Sequence, residues 1–355
     1  MQNIVKIKGT VIILWLLGLS LRTAAQTPQK AHLDSLLHLS INLTISQHYD
    51  SAFSVGRQIT TRFPAHPIGY LFMAATLQTQ MMDYETTHRE QHFQSYLDTT
   101  IESAQKYLGH HPNDAWSYFY IGSAYAYRAF FESKQNRYWS ALRNVRRGMP
   151  ALRQAIALDS TLYDAYLGLG SYLFWRSEKT KSLNWLPFFK DERERGIRMI
   201  KMSVRKSHYS RYPAMNALVW IYLELNDYEQ ALQWARQAGD FFPDSRYFKW
   251  CLAETHFRLR NYIPAIDYFQ QIISSLQNEK FNNHYNEIVC HLKIARCHFE
   301  LKQYQAALEH CLAVEQLNLS PDIRERATSK IEHLNQLKKD CQHYLRHTSL
   351  IKAFR

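Results

Sequence analysis

The stretch 215-MNALVWIYLELNDYEQALQWARQAGDFFP-243 decides how this chain folds. Met215, Leu218, Val219 and Tyr222 recur at i, i+3, i+4 and i+7, which places them on one helical face. Asn226 and Asp227 interrupt the period, and Tyr228 restarts it. In the second half Ala231, Ala235 and Ala238 form a stripe of small residues, and Pro243 ends the run. Bulky side chains facing small ones let two helical backbones approach closely, so the stretch predicts a tight helical hairpin.

This pattern resembles one tetratricopeptide repeat (TPR), a helix–turn–helix unit of about 34 residues. The resemblance implies a binding scaffold and does not name a partner. The pattern recurs along the chain. A first unit carries Leu36, Leu39, Ser40 and Leu43, then Tyr49, Ala52, Ile59 and Pro64. Later units begin at Tyr70, Met73, Ala74 and Leu77; at Tyr118, Ile121, Gly122 and Tyr125; and at Tyr166, Leu169, Gly170 and Leu173. The last of these follows a helix read over 150-PALRQAIALDS-160. After the opening stretch come Leu252, Ala253 and His256, then Ile294, Ala295 and His298, each with a second helix behind it. The expectation is an all-α, TPR-type right-handed α-solenoid of about seven repeats over 26–320, closed by a capping helix and tail over 321–355.

Spacing between the tight-packing positions departs from the family. Ser40 to Ala74 and Val219 to Ala253 are 34 residues, whereas Ala74 to Gly122 and Gly122 to Gly170 are 48. Two extra turns per helix would lengthen a hairpin without changing its buried face. Enlarged central hairpins are therefore expected within about 75–211, projecting as a lobe. The cap is expected as one helix from about Pro321 to Leu345, with Ser320 as N-cap and a single apolar stripe from Ile323 to Tyr344.

Residues 1–25 read as a secretory signal: Lys6 and Lys8, an apolar run from Val11 to Leu19, and Thr23-Ala24-Ala25 before Gln26. The rival reading, a membrane anchor, needs about 20 apolar residues, and the run is about half that. Export to the periplasm or outside the cell is the expectation. Five cysteines, Cys251, Cys290, Cys297, Cys311 and Cys341, show no CxxC pair and read as small apolar fillers.

Two surfaces are candidates for binding. In TPR arrays the face beside the packing positions lines the concave surface. Here it reads Phe119, Tyr127, Phe174, Trp175, Trp220, Trp250, Phe257 and Phe299. Such rings suit an apolar or aromatic segment of a partner; the bland alternative is that they pack on neighbouring helices. The Lys and Asn pairs with which some family members clamp a C-terminal carboxylate are missing, since Asn216 has no partnering lysine. The second surface is 181-KSLNWLPFFK-190, where Trp185, Phe188 and Phe189 are bracketed by Lys181 and Lys190. It lies in 128–211, which carries a net charge of +11. Such a tip suits an anionic membrane surface; the bland alternative is that it folds back on its own hairpin.

Catalytic readings find little support. Glu85, His88 and His92 would share a face if helical, but carboxylate-bridged metal sites need a second such pair, and HREQH is not HExxH. His291, His298 and His310 lie beside Cys290, Cys297 and Cys311, and adjacent residues on a helix diverge. No Gly-rich phosphate loop and no GxSxG are present. The expectation is therefore no enzyme, no metal, no cofactor, no small-molecule substrate and no nucleic acid. What remains is a scaffold for a protein or peptide partner, with a peripheral membrane protein held by its basic lobe as the alternative.

Overall fold

The computed structural model describes residues 31–183, 190–277 and 279–353. They form sixteen α-helices, with no strand among the described residues. Fourteen helices make seven hairpins. These are α1 (31–45) with α2 (Tyr49–Arg62), α3 (Ile68–Asp83) with α4 (Glu90–Leu108), and α5 (Ala115–Lys134) with α6 (Tyr138–Leu158). They continue as α7 (Asp164–Lys179) with α8 (Arg193–Lys206), α9 (Arg211–Glu224) with α10 (Tyr228–Phe241), α11 (Arg246–Arg258) with α12 (Tyr262–Leu276), and α13 (Tyr285–Glu300) with α14 (Tyr304–Glu315). Then α15 (Pro321–Arg326) leads into α16 (Thr328–Ala353), which packs on α13 and α14.

Six of the seven hairpins turn in the same way. Gln47, Glu85, Asn136, Asn226, Arg260 and Lys302 each take a positive φ of 48–61° just after the first helix. The amide that follows reaches back five residues in every case: His48 to Leu43, Thr86 to Met81, Arg137 to Glu132, Asp227 to Tyr222, Asn261 to His256 and Gln303 to His298, at 2.8–2.9 Å. A left-handed residue with this bond closes the orphan carbonyls at a helix end. The fourth hairpin is different: α7 continues through a short 3-10 turn (Lys181–Leu183), and α8 starts only at Arg193.

The packing positions of the sequence pattern lie inside or half-buried except Leu39 of the first unit, which is 46% exposed while Leu37 is fully buried. Met215, Leu218 and Val219 are fully buried, as are Ala231, Ala235 and Ala238 opposite them. Closest approach falls at two glycine pairs. A Cβ on Gly170 would sit 2.7 Å from the Gly196 carbonyl oxygen, and one on Gly196 would sit 2.5 Å from that of Gly170. Across α5 and α6 a Cβ on Gly148 would sit 3.0 Å from the Gly122 carbonyl oxygen, while one on Gly122 would meet the Leu152 side chain at 2.6 Å.

Length is added differently in the three central hairpins. In the third it lies in both helices, 20 residues in α5 and 21 in α6. In the second α4 has 19 residues, and in the fourth much of the length lies between α7 and α8. Two helical readings change. The helix read from Pro150 begins at Tyr138 and runs through the proline, whose exposed side leaves the freed carbonyl to water. The cap is not one helix: it breaks at Ala327, which leaves the helical region at ψ 1°. Ser320 does cap α15, its Oγ accepting from the Ile323 amide at 3.4 Å.

The solenoid closes on itself. Ile45 joins the apolar cluster of Val219, Leu223 and Cys251, with Ile41 packed beside it. Ser245 Oγ donates to the Ile45 carbonyl at 2.5 Å, and the Arg246 amide donates to Gln47 Oε1 at 2.9 Å. Asn286 Nδ2 donates to the Asp83 carbonyl and Asn283 Nδ2 to that of Tyr84, both at 2.7 Å. The first two hairpins thus dock on the starts of α11 and α13.

Candidate functional site

This closure decides which part of the inner face is open. Phe119 is buried, with its ring 5.5 Å from Trp116 in a perpendicular contact. Phe174 is fully buried, edge-on to Trp175 at 5.1 Å. Tyr127 is half-buried; its carbonyl accepts from Gln78 Nε2 at 2.9 Å, and burial pushes its hydroxyl up to about 12, with the Asp164 charge adding to the shift. These three face the part of the interior that α1 and α3 cover. Trp250 is half-buried against Phe269 at 5.9 Å.

The remaining rings line an open ribbon along the C-terminal halves of α7, α9, α11 and α13. Trp220 is 40% exposed, and Trp175, Phe257 and Phe299 are half-buried. Cations lie over the rings. Lys179 Nζ is 5.7 Å from the Trp175 ring, Lys293 Nζ is 4.0 Å from Phe257, and the Arg296 guanidinium is 5.6 Å from Phe257. Such contacts add to ring burial where water is partly excluded. Contacts link the ribbon from helix to helix. Lys179 reaches Glu224 at 3.9 Å, Asn216 Nδ2 donates to Cys251 Sγ at 3.2 Å, and Lys293 pairs with Glu254 at 2.7 Å. At the far end Phe299 packs with Tyr304 and Tyr344, whose rings stack at 4.6 Å.

The charged half of this ribbon was not singled out in the sequence. Glu224, Glu254, Arg258, Arg296 and the exposed Glu300 occupy the same positions relative to the packing residues as the rings do, so the rule that found the aromatics would have found them. Arg258 pairs with Glu254 at 2.9 Å, while no ion pair holds Arg296 among the described residues. Chemically the ribbon offers rigid rings, exposed cations and few free carboxylates. It suits an extended segment carrying apolar and acidic side chains.

The second candidate surface is described only at its ends. Trp185, Phe188 and Phe189 lie outside the described residues. Lys181 donates to Glu178 at 2.5 Å, and Lys190 is exposed. The base of this connection is densely paired: Arg193 meets Glu178 at 2.9 Å and Asp191 at 2.6 Å, Arg195 meets Glu192 at 2.8 Å, and Arg176 also pairs with Glu192.

The rejected metal residues are also placed. Glu85 and His88 lie in the turn before α4 and His92 lies within it, so the three share no helix. Glu85 pairs with Arg326 at 3.6 Å, and His88 stacks on Phe281. The histidines His291, His298 and His310 do converge across α13 and α14, because residues seven apart on one helix flank a single residue of the next. His291 Nδ1 and His310 Nδ1 are 2.9 Å apart, and His298 stacks on His310. Among the described residues no group of three His, Cys, Asp or Glu is arranged to hold a metal ion. All five cysteines are buried thiols.

A family model described as tetratricopeptide repeat matches residues 212–240. No curated protein matches the sequence. Among solved structures, the Cut9–Hcn1 hetero-tetramer of the APC/C aligns with a TM-score of 0.52 at 12% identity, over 86% of this chain and 55% of the matched one. The present chain therefore spans about half the length of that relative. PilW, a type IV pilus biogenesis factor, aligns at 0.45 with 15% identity, over 72% of this chain and 97% of its own. The human IFIT1 dimer with m7Gppp-AAAA aligns at 0.45 with 12% identity, over 90% and 77%. At these identities the likeness is one of fold. The match at 212–240 identifies α9 with α10 as a tetratricopeptide repeat, and the other hairpins with their repeated turn carry the same all-α solenoid architecture along the chain.

Proposed function

We propose that this protein is a non-catalytic scaffold that binds a segment of a partner protein on the open ribbon of its inner face. The TPR fold suggests protein–protein interaction, and the finer reading rests on one observation. Trp220 is exposed, Trp175, Phe257 and Phe299 are half-buried on the same face of successive hairpins while Phe119 and Phe174 of that row are buried, and Arg296, held by no ion pair among the described residues, lies over Phe257. Rigid rings bury large area at little entropic cost, and the cation selects an acidic neighbour. The proposal places the protein outside the cytoplasm, in the periplasm or secreted, on the strength of the charged, apolar and small-residue order of 1–25.

A photoreactive amino acid placed at Trp220 in cells of the native host tests this reading. One dominant protein adduct, lost when Trp175→Ala is added, is the expected result. An adduct that forms equally from a photoreactive group at Tyr107, on the outer face of α4, would overturn it.

A further inference from the structure

We propose that the tip and outer face of α6 dock this protein on an anionic lipid bilayer. The site lies apart from the inner ribbon and does not depend on it. In the sequence, 138-YWSALRNVRRGMPALRQAIAL-158 holds four arginines and no carboxylate. On a helix Trp139, Leu142, Arg143, Arg146 and Arg153 follow one another at i, i+3, i+4, i+7 and i+14, which is a single stripe. All five are exposed, Trp139 at 85%, and its neighbour Tyr138 at the turn is 63% exposed. Phe130, across the turn on α5, is also exposed.

Charge pairing leaves this stripe among the cations of the basic region that no carboxylate offsets. Every carboxylate of 128–211 is engaged elsewhere. Glu132 pairs with Arg137, Asp159 accepts from Thr161, and Asp164 accepts the amides of His208, Tyr209 and Ser210. Glu178, Asp191, Glu192 and Glu194 pair with basic residues between Arg176 and Arg198. Among the described residues no ion pair reaches Arg143, Arg146, Arg147 or Arg153; Lys134, Lys190, Lys201, Arg205, Lys206 and Arg211 are likewise without one, but α6 sets four such cations beside exposed rings with no carboxylate on the helix.

The shape favours a bilayer over a protein. The third hairpin has the two longest helices of the seven pairs, and Phe130, Tyr138 and Trp139 are exposed near its turn. A stable protein interface buries about 800 Å² per partner in surfaces of matched shape. A flat bilayer needs no such match: indole and phenol rings settle at the headgroup level while arginines meet anionic lipid. A second copy of this chain could present the acidic depression along α4, lined by Glu90, Gln94, Asp98 and Glu102. That lining is polar and leaves Trp139 without a pocket.

The test uses the full chain with vesicles of phosphatidylcholine alone or mixed with phosphatidylglycerol, sedimented at about 0.15 M and about 0.5 M salt. Binding to the anionic vesicles alone, weakened at the higher salt, is expected. Each arginine replaced in Arg143→Gln, Arg146→Gln and Arg153→Gln should lower partitioning about fivefold. Trp139→Ala should lower it further and abolish quenching of tryptophan emission by brominated lipid. These residues are exposed, so the variants should keep the wild-type melting temperature. The proposal is overturned if the anionic vesicles are not bound, or are bound equally by the variants. Capture of a poly-glutamate peptide without vesicle binding would overturn it in favour of an acidic protein segment. Salt-sensitive dimerisation without vesicle binding would overturn it in favour of a second copy.

Discussion

Arg246 and Asp83, 163 residues apart in sequence, form a two-pronged ion pair: Nε to Oδ1 at 3.1 Å and Nη2 to Oδ2 at 2.7 Å. Both side chains are more than nine-tenths buried. Arg246 also donates to Glu279 at 3.0 Å and to the Ser275 carbonyl at 3.1 Å, and its guanidinium lies over Tyr84. One residue at the start of α11 therefore fastens the end of α3 to the end of α12. The planar fork suits arginine and would not be matched by lysine.

Removing Arg246 leaves the Asp83 charge buried with only the Tyr49 hydroxyl, which costs about 3–5 kcal/mol, whereas removing Asp83 leaves Arg246 its bond to Glu279 and should cost less. Arg246→Met should lower the urea midpoint strongly, and Asp83→Leu should lower it less. The double variant should recover part of the loss, because a buried pair replaced by apolar groups is often close to neutral. Additive losses in the double variant would mean that the two residues act separately.

The glycine pair Gly170 and Gly196 makes a second cycle. Each added methyl would press on the other residue's carbonyl, at 2.7 and 2.5 Å. Gly170→Ala and Gly196→Ala should each cost about 1–3 kcal/mol in chemical denaturation. Since one displacement of α8 from α7 would relieve both, the double variant should cost less than the sum. Stability within error of wild type would show that the helices are not in contact there.

How much of this was legible in sequence follows from what each feature depends on. Local period and small-residue stripes marked the helix pairs, because Val219, Gly170 and Ala253 must be small wherever two backbones meet. The second glycine of each close pair, Gly148 or Gly196, was missed, although Gly196 stands 26 residues after Gly170. The closure was not legible. Nothing local in Asp83 or Arg246 says that they meet, and α1 reads as an ordinary first helix until Ile41 and Ile45 are seen among the residues of α9 and α11. That docking divides the aromatic row, burying Phe119 and Phe174 and leaving Trp220 accessible. Pairing of charges was equally invisible: net charge located the basic region, but only the contacts show that the carboxylates of 178–194 are spent on cations of 176–198 and, among the described residues, none reaches α6.

The divided row gives a contrast between neighbouring rings. Phe174→Ala removes a fully buried side chain and should cost about 3–5 kcal/mol. Trp175→Ala and Trp220→Ala should leave helical content by circular dichroism near wild type and weaken partner capture. If Trp220→Ala unfolds the chain, that ring is core and the ribbon is not a binding surface.

Export predicts a processed chain. Sequencing the N-terminus of protein from the native host should find Gln26, or a residue close to it, at the start. Intact Met1 on protein in a membrane fraction would reverse the reading of 1–25 to an anchor.

The histidine cluster predicts how stability responds to acid. His310 is pushed down to about 4, first by burial and then by the nearby His291 and His298. His291 is also lowered by burial, partly offset by the Glu287 charge. With Nδ1 atoms 2.9 Å apart, one neutral ring donates and the other accepts; two charged rings would set N–H against N–H. In the unfolded chain a histidine titrates near 6.5. Above that pH neither state holds the proton, and the full stability is present. As pH falls below about 6.5 the unfolded state takes up the proton first, so stability is lost progressively until about pH 4, where folded His310 titrates too. Urea midpoints measured from about pH 7 to about pH 4.5 should therefore fall, and His310→Gln should flatten part of that fall. His66 and His256 are lowered by burial as well, so some slope should persist in the variant. A variant whose midpoint falls as steeply as wild type over this window would show that the cluster does not carry the acid sensitivity.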